Sequence, residues 1–161
     1  MNDLLEISLS ALIIDTIINM YLFYYEKGGT SVREWYINFK TSAAIMDVTS
    51  IIIAVFLAIK LTDNIYKQLL YVVLIQLFHD IFMGWFLLRG TSNHPKNTIL
   101  DLWSRYGKEL GSTILFVDAF MLILTILLKQ VIHDNLNKEW MCYLLILFTY
   151  VLLFIINCYH L

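Results

Sequence analysis

Proline occurs once in 161 residues, glycine six times and cysteine twice. So few Pro and Gly leave no room for a long disordered linker between folded units. Charged side chains are equally sparse: 15% of the chain, with a net charge of -2. Soluble domains carry about 25% charged residues, so the composition departs from that class. The lack of a cationic excess argues against nucleic acid as a main partner, because phosphate binding requires one. Cys142 and Cys158 both fall in the last apolar run. On one helix they would lie about 24 Å apart at about 1.5 Å per residue, beyond the reach of a disulfide. They are expected to be small packing residues.

Hydrophobic side chains are abundant, at 60% of the chain, with a mean hydropathy of +0.72. A helix that crosses a bilayer needs about 20 mostly apolar residues. Five stretches qualify: 4–25, 42–61, 67–88, 109–131 and 140–160. The expected fold class is therefore all-α, a polytopic integral membrane bundle of five transmembrane helices in one domain, 1–161, with membrane lipids as its surroundings and a homo-oligomer open to it. The first stretch lacks the basic leader of a cleaved signal peptide and carries Asp3-x-x-Glu6, which resembles a capping box; it reads as a retained span. The second can begin earlier, near Val32, as an interfacial amphipathic segment. TILDLWSRYGKEL, residues 98 to 110, reads as another. Gly28-Gly29 and the run from Gly90 to Pro95 mark loops, and Thr62-Asp63-Asn64 a tight turn.

With five spans, Lys27, Arg33, Lys40, Arg89, Lys96, Arg105 and Lys108 fall on one face, against Lys60, Lys67, Lys129 and Lys138 on the other. The positive-inside rule then places the N-terminus outside and the C-terminus in the cytoplasm. Trp35, Tyr36, Trp85, Trp103 and Trp140 lie near span ends, as an aromatic belt would.

Four spans each carry an aspartate: Asp15, Asp47, Asp80 and Asp118. Each costs about 2.5–3.5 kcal/mol at a helix centre. Together they approach the whole net stability of a typical domain, about 5–15 kcal/mol, so these groups should face the bundle interior. Helical spacing agrees. Ser8, Ala11, Asp15 and Asn19 share a face, as do Ala43, Asp47, Ser50, Ala54 and Ala58; Gln76, Asp80 and Gly84; and Gly107, Gly111, Asp118 and Thr125. Gly107 and Gly111 have the small-xxx-small spacing of close helix packing. The last span has no acid and reads as peripheral. The four carboxylates and His79 are expected at one depth, with His79 either reaching a neighbouring helix or flanking the same cavity.

Three functions fit such a layer. The first is a proton or cation pathway through Asp15, Asp47, His79, Asp80 and Asp118, with Glu109 at the cytoplasmic mouth. Asp47, His79, Asp80 and Asp118 could hold a divalent cation there. The second is a metal-dependent, membrane-embedded enzyme acting on a lipid-like substrate. In it a metal on His79, Asp80 and Asp118 would activate water, and Asp101, Tyr106 and Glu109 would supply acid–base groups. Arg89, Lys96, Arg105 and Lys108 would then hold a lipid phosphate, although the positive-inside rule alone explains that rim. HExxH, paired-His and GxSxG motifs are all missing, so ion translocation leads and enzyme activity stays open. The third is a structural membrane protein, whose inter-helix hydrogen bonds average only about 0.6 kcal/mol each. His94, His133 and His160 read as solvated, and Asp101–Arg105 and Arg105–Glu109 as exposed helical ion pairs.

His79-Asp80, Asp101, Tyr106, Glu109-x-Gly111, Asp118 and Met121, together with TSAAIMDVTSIIIAVFLA at 41–58, resemble a family of uncharacterised small multi-span proteins of giant DNA viruses. The resemblance covers residues 41–125 and implies a polytopic helical viral protein in which those acids are shared polar positions. It implies no activity. The loop around Pro95 departs from the family in lacking a Pro-x-Gly sequence.

Overall fold

In a computed structural model, residues 2–25, 29–90 and 98–158 are described. Lys27, Gly28, His94, Pro95, Lys96 and His160, and the side chains of Trp85 and Arg89, lie outside what is described. The described residues form six helices and no strand: α1 Asn2–Tyr25, α2 Gly29–Leu61, α3 Ile65–Gly90, α4 Ile99–Leu110, α5 Thr113–Asn135 and α6 Lys138–Cys158. All but α4 are long and apolar enough to cross a membrane.

Short polar caps set the turns between these helices. Asn64 Oδ1 accepts from Lys67 N at the start of α3, and Gln68 Nε2 donates to the Thr62 carbonyl. Asn137 Oδ1 accepts from Trp140 N and starts α6. Thr98 caps α4 by accepting from Asp101 N. These are ordinary first-turn solutions for helix N–H groups that have no intrahelical partner. The start of α1 is different. Asp3 sits in its first turn, and Glu6 does not fold back as a capping-box partner. Its buried carboxylate meets Lys129 Nζ at 3.1 Å and His133 Nδ1 at 3.0 Å on α5. A buried acid gains more from a cation across the interface than from one exposed N–H. His133, expected to be solvated, is exposed over half of its side chain while its ring meets Glu6.

Helix α1 is the axis of the bundle. It packs against α2, α5 and α6, and Ile7, Leu9, Ala11, Leu12 and Ile14 are all buried. The main core joins Ile7 and Ala11 to Ile51, Ala54, Val55 and Ala58 of α2, Val72 of α3, and Leu122 and Ile126 of α5. The alanines keep side-chain volume low where α1 and α2 cross. Ser10 and Thr16 are buried among these contacts and donate to carbonyls four residues back, so no hydroxyl is stranded in the apolar layer.

The second helix is continuous only in name. At Lys40 the backbone leaves helical geometry (φ 44°, ψ -121°), which separates an arm, residues 29–39, from the long apolar segment, residues 41–61. Residues 11 or 12 apart on a straight helix lie about 16–18 Å from one another. Yet Trp35 Nε1 and Tyr36 OH both donate to Asp47 Oδ2, at 3.0 and 2.6 Å. The bend therefore folds the arm back across the end of the bundle. There Trp35 and Tyr36 join Leu102 of α4, Ala43 and Ala44 of α2, Leu12 of α1 and Leu152 of α6 in a second core. These two aromatics were expected as part of a membrane-surface belt; they are buried instead.

The last span, expected to be peripheral, has 17% of its apolar stretch buried, and α3 has less, at 6%. One further expectation is corrected. The span expected from residue 109 is broken at Gly111 (φ 52°), which ends α4. A Cβ at Gly107 or Gly111 would meet none of the described residues within 4 Å. Neither glycine serves close helix packing in this chain; Gly111 serves a chain reversal.

Lys40 holds a backbone conformation that side chains disfavour by about 1–3 kcal/mol, whereas glycine adopts it freely at an entropic cost of about 0.5–1 kcal/mol. Lys40→Gly should therefore raise the thermal midpoint, by a gain of about 1 kcal/mol. A lower midpoint in a melting scan of the detergent-solubilised protein would show that the bend is not strained.

Candidate functional site

The bundle inverts the usual soluble pattern. Phe78 is 72% exposed and Phe116 75%, while Glu6, Asp15 and Asn19 are buried. Asp15 and Asn19 line a cavity of about 850 Å³ that extends from the middle of the helices to the arm and α4.

Asp15, Asp47, Asp80 and Asp118, one from each of α1, α2, α3 and α5, all line this cavity, and so does His79. Their partners divide them into two groups. On one side Asn19 Nδ2 donates to Asp15, at 3.0 Å to the carbonyl and 3.1 Å to Oδ2. Beside this pair Asp47 is held by Trp35 and Tyr36. On the other side Gln76 Nε2 donates to Asp80 Oδ1 at 2.7 Å and to Asp118 Oδ2 at 3.3 Å, linking α3 to α5. The His79 ring bends back to its own neighbour, with Nδ1 3.0 Å from Asp80 Oδ1. It reaches no other helix through that nitrogen, and its side chain is half exposed.

Among the described residues, no three His, Cys, Asp or Glu side chains converge in a way that could hold a metal ion. The set Asp47, His79, Asp80 and Asp118, considered above as metal ligands, is split between the two groups. Of the remaining acid–base candidates, Asp101 and Glu109 are engaged elsewhere. Asp101 lies 3.4 Å from Arg105 Nε, and Arg105 Nη1 lies 2.6 Å from Glu34 on the arm. Burial, followed by the charges of Asp118, Asp47 and Asp80, pushes the Tyr106 phenol well above its ordinary range. Tyr106 is therefore a protonated donor facing the acids, not a base.

Glu109 does not line the cavity. Its carboxylate caps the N-terminus of α2: Thr30 N and Oγ1 reach Oε1 at 2.7 and 3.0 Å, and Ser31 N reaches Oε2 at 2.9 Å. The carboxylate supplies both the acceptor and the negative charge that a helix N-terminus favours. This contact, rather than the expected pair with Arg105, occupies it. Gly29 makes the approach feasible. Its φ is +72°, and a Cβ there would stand 2.6 Å from Glu109 Oε1. Arg105–Glu34 and Glu109–Thr30/Ser31 thus fasten α4 to the arm at two points.

Sequence spacing pointed to Asp15, Asn19, Asp47, Gln76, Asp80 and Asp118 as inward residues. It missed Trp35 and Tyr36 as partners of Asp47, because no periodicity announces a bend at Lys40. It also missed the Glu6–Lys129–His133 group. The available signal there was an acid on the same apolar helix as Asp15.

No protein family, curated protein or solved structure matches this chain.

Hydrogen bonds from the side chain and backbone of Ser31 and from the backbone of Thr30 lower the Glu109 pKa from its ordinary 4.5 to about 2. A carboxyl whose folded pKa is depressed stabilises the fold above its unfolded value and loses that contribution as pH falls through the folded value. Docking of the arm on α4 should therefore weaken between about pH 4.5 and about pH 2. Glu109→Gln should remove that part of the acid sensitivity, read as the difference between the two proteins in tryptophan fluorescence. Identical acid profiles would refute the cap.

Proposed function

We propose that the protein is an integral membrane protein that carries protons or cations through the acid-lined cavity, with its N-terminus outside and its C-terminus in the cytoplasm. The observation that carries this reading is the placement of four carboxylates, from four separate apolar helices, around one cavity. Intramembrane acids are rare, and they commonly mark ion or proton routes.

The outward faces support insertion. Tyr66, Leu70, Leu74, Phe78, Ile81 and Phe82 form one exposed apolar side of α3, a surface that water disfavours and lipid accepts. The bundle ends support the crossing topology. The start of α1, the end of α5 and the turn after α2 meet at one end, where Asp3, Lys60, Asp63, Lys129 and His133 line a small polar pocket. The arm and α4 lie at the other, cytoplasmic by the positive-inside count.

Between the ends the route is interrupted. Glu6 and Asp15 are nine residues apart on α1, or about 13 Å. The space around that segment is filled by Ala11, Val55, Leu122 and Ile126. The cavity therefore belongs to a state that is closed towards the outer polar group, and translocation requires that apolar layer to loosen. The metal-dependent enzyme is not favoured, because the ligand geometry it needs is not assembled.

Purified protein reconstituted in liposomes should show pH- or cation-gradient-driven flux, and Asp80→Asn should abolish it. Flux that persists after all four aspartates are replaced by asparagine would end this reading.

A further inference from the structure

We infer that the cavity binds an organic ammonium ion with an apolar body, as its carried cation. This deepens the cation-translocation reading above and rests on it.

Unmet acceptors point to the ammonium. Asn19 is 2% exposed and lines the cavity. Its amide nitrogen is committed to Asp15, and its Oδ1 accepts no hydrogen bond from the described residues. Asp80 Oδ2, on the other wall, is also buried with no donor among the described residues. Three donors near them are already committed: Trp35 and Tyr36 to Asp47, and Gln76 to Asp80 and Asp118. Buried acceptors in folded proteins are nearly always satisfied. What would complete the site is therefore a group rich in N–H donors, and the surrounding carboxylates favour one that is positively charged. A primary ammonium offers three donors and no acceptor. A metal ion would need ligand convergence that the described residues do not provide.

Size and wall chemistry point to the apolar body. About 850 Å³ falls within the range of small-molecule pockets, about 300–1,000 Å³, and far exceeds the roughly 30 Å³ of one water. Away from the acids the wall is built from side chains such as Ile45, Met46, Met83 and Leu115, with Trp103 and Tyr106 on the α4 side. Aromatic faces attract organic cations as well as apolar groups. The cavity thus combines the two features that an amphipathic amine needs: acceptors on its acid-bearing walls and an apolar remainder. A bare inorganic cation would use only the first.

The test uses the full chain in nanodiscs, with 4-phenylbutylamine as the probe and its uncharged analogue 4-phenylbutanol as the control. Binding is read by tryptophan fluorescence, with empty nanodiscs subtracted. The amine should bind saturably and at least tenfold more tightly than the alcohol, and excess sodium or potassium should not displace it. Asp15→Asn and Asp80→Asn should each weaken amine binding at least tenfold without changing affinity for the alcohol. Asn19→Leu, which removes the unmet acceptor, should act in the same direction; the two aspartate variants keep the test decisive if it fails to fold. Equal affinity for amine and alcohol, no saturable binding, or amine affinity that survives both aspartate changes would overturn the inference. The flux experiment separates the two proposals. Gradient-driven flux without amine binding sinks the organic cation alone. Acid-dependent amine binding by a protein that moves no ion leaves the site intact and sinks translocation.

Discussion

A carboxylate midway along an apolar helix needs polar partners, and that constraint organises the bundle. Asp15, Asp47, Asp80 and Asp118 turn inward from four helices, and each brings or meets a donor: Asn19, Trp35 with Tyr36, and Gln76. Turning the acids in turns the opposite faces out. The exposed rows of Phe, Leu and Ile on α3 and α5 follow from the same rotation of each helix. Inner polarity and outer oiliness are thus two consequences of one orientation.

Satisfying Asp47 has the longest reach. Its donors come from the same chain segment, and they reach it only because the backbone reverses at Lys40. That reversal lays the arm over the cavity and brings Glu34 to Arg105 and the first turn of α2 to Glu109. The arm and α4 then close one end of the bundle as a paired layer, held by polar bonds at its edge and by the Trp35–Trp103 contact, 5.9 Å between ring centroids, within it. The opposite end is held differently, by Lys129 between Asp3 and Glu6 at 3.3 and 3.1 Å. Packed apolar side chains separate the two polar regions, so any ion route through this chain must include a step in which packing changes.

Much of the fold was legible in the chain because hydrophobic length and helical period are local quantities. The five long helices fall close to the apolar stretches, and the inward positions of Ala11, Ala43, Ala54, Ala58 and Thr125 follow from three- and four-residue spacing alone. What period cannot report is where a helix bends or which side chain an acid meets. Gly107 and Gly111 show the limit. Their spacing is that of a packing motif, yet one lies within a helix with open space beside it and the other ends that helix. Glu109 shows it too. Its neighbours in sequence suggest an ion pair with Arg105, while the free N–H groups of a helix 79 residues away bind it more completely.

The sequence by itself determined the number of apolar helices, their order and the face on which each aspartate lies, because these depend only on residue type and helical pitch. The tertiary structure alone decided that the acids form two bonded groups around one cavity, that Asn19 Oδ1 and Asp80 Oδ2 meet no donor among the described residues, and that the arm folds back over them. Those outcomes depend on distances between residues far apart in the chain, which are fixed only when the helices pack against one another.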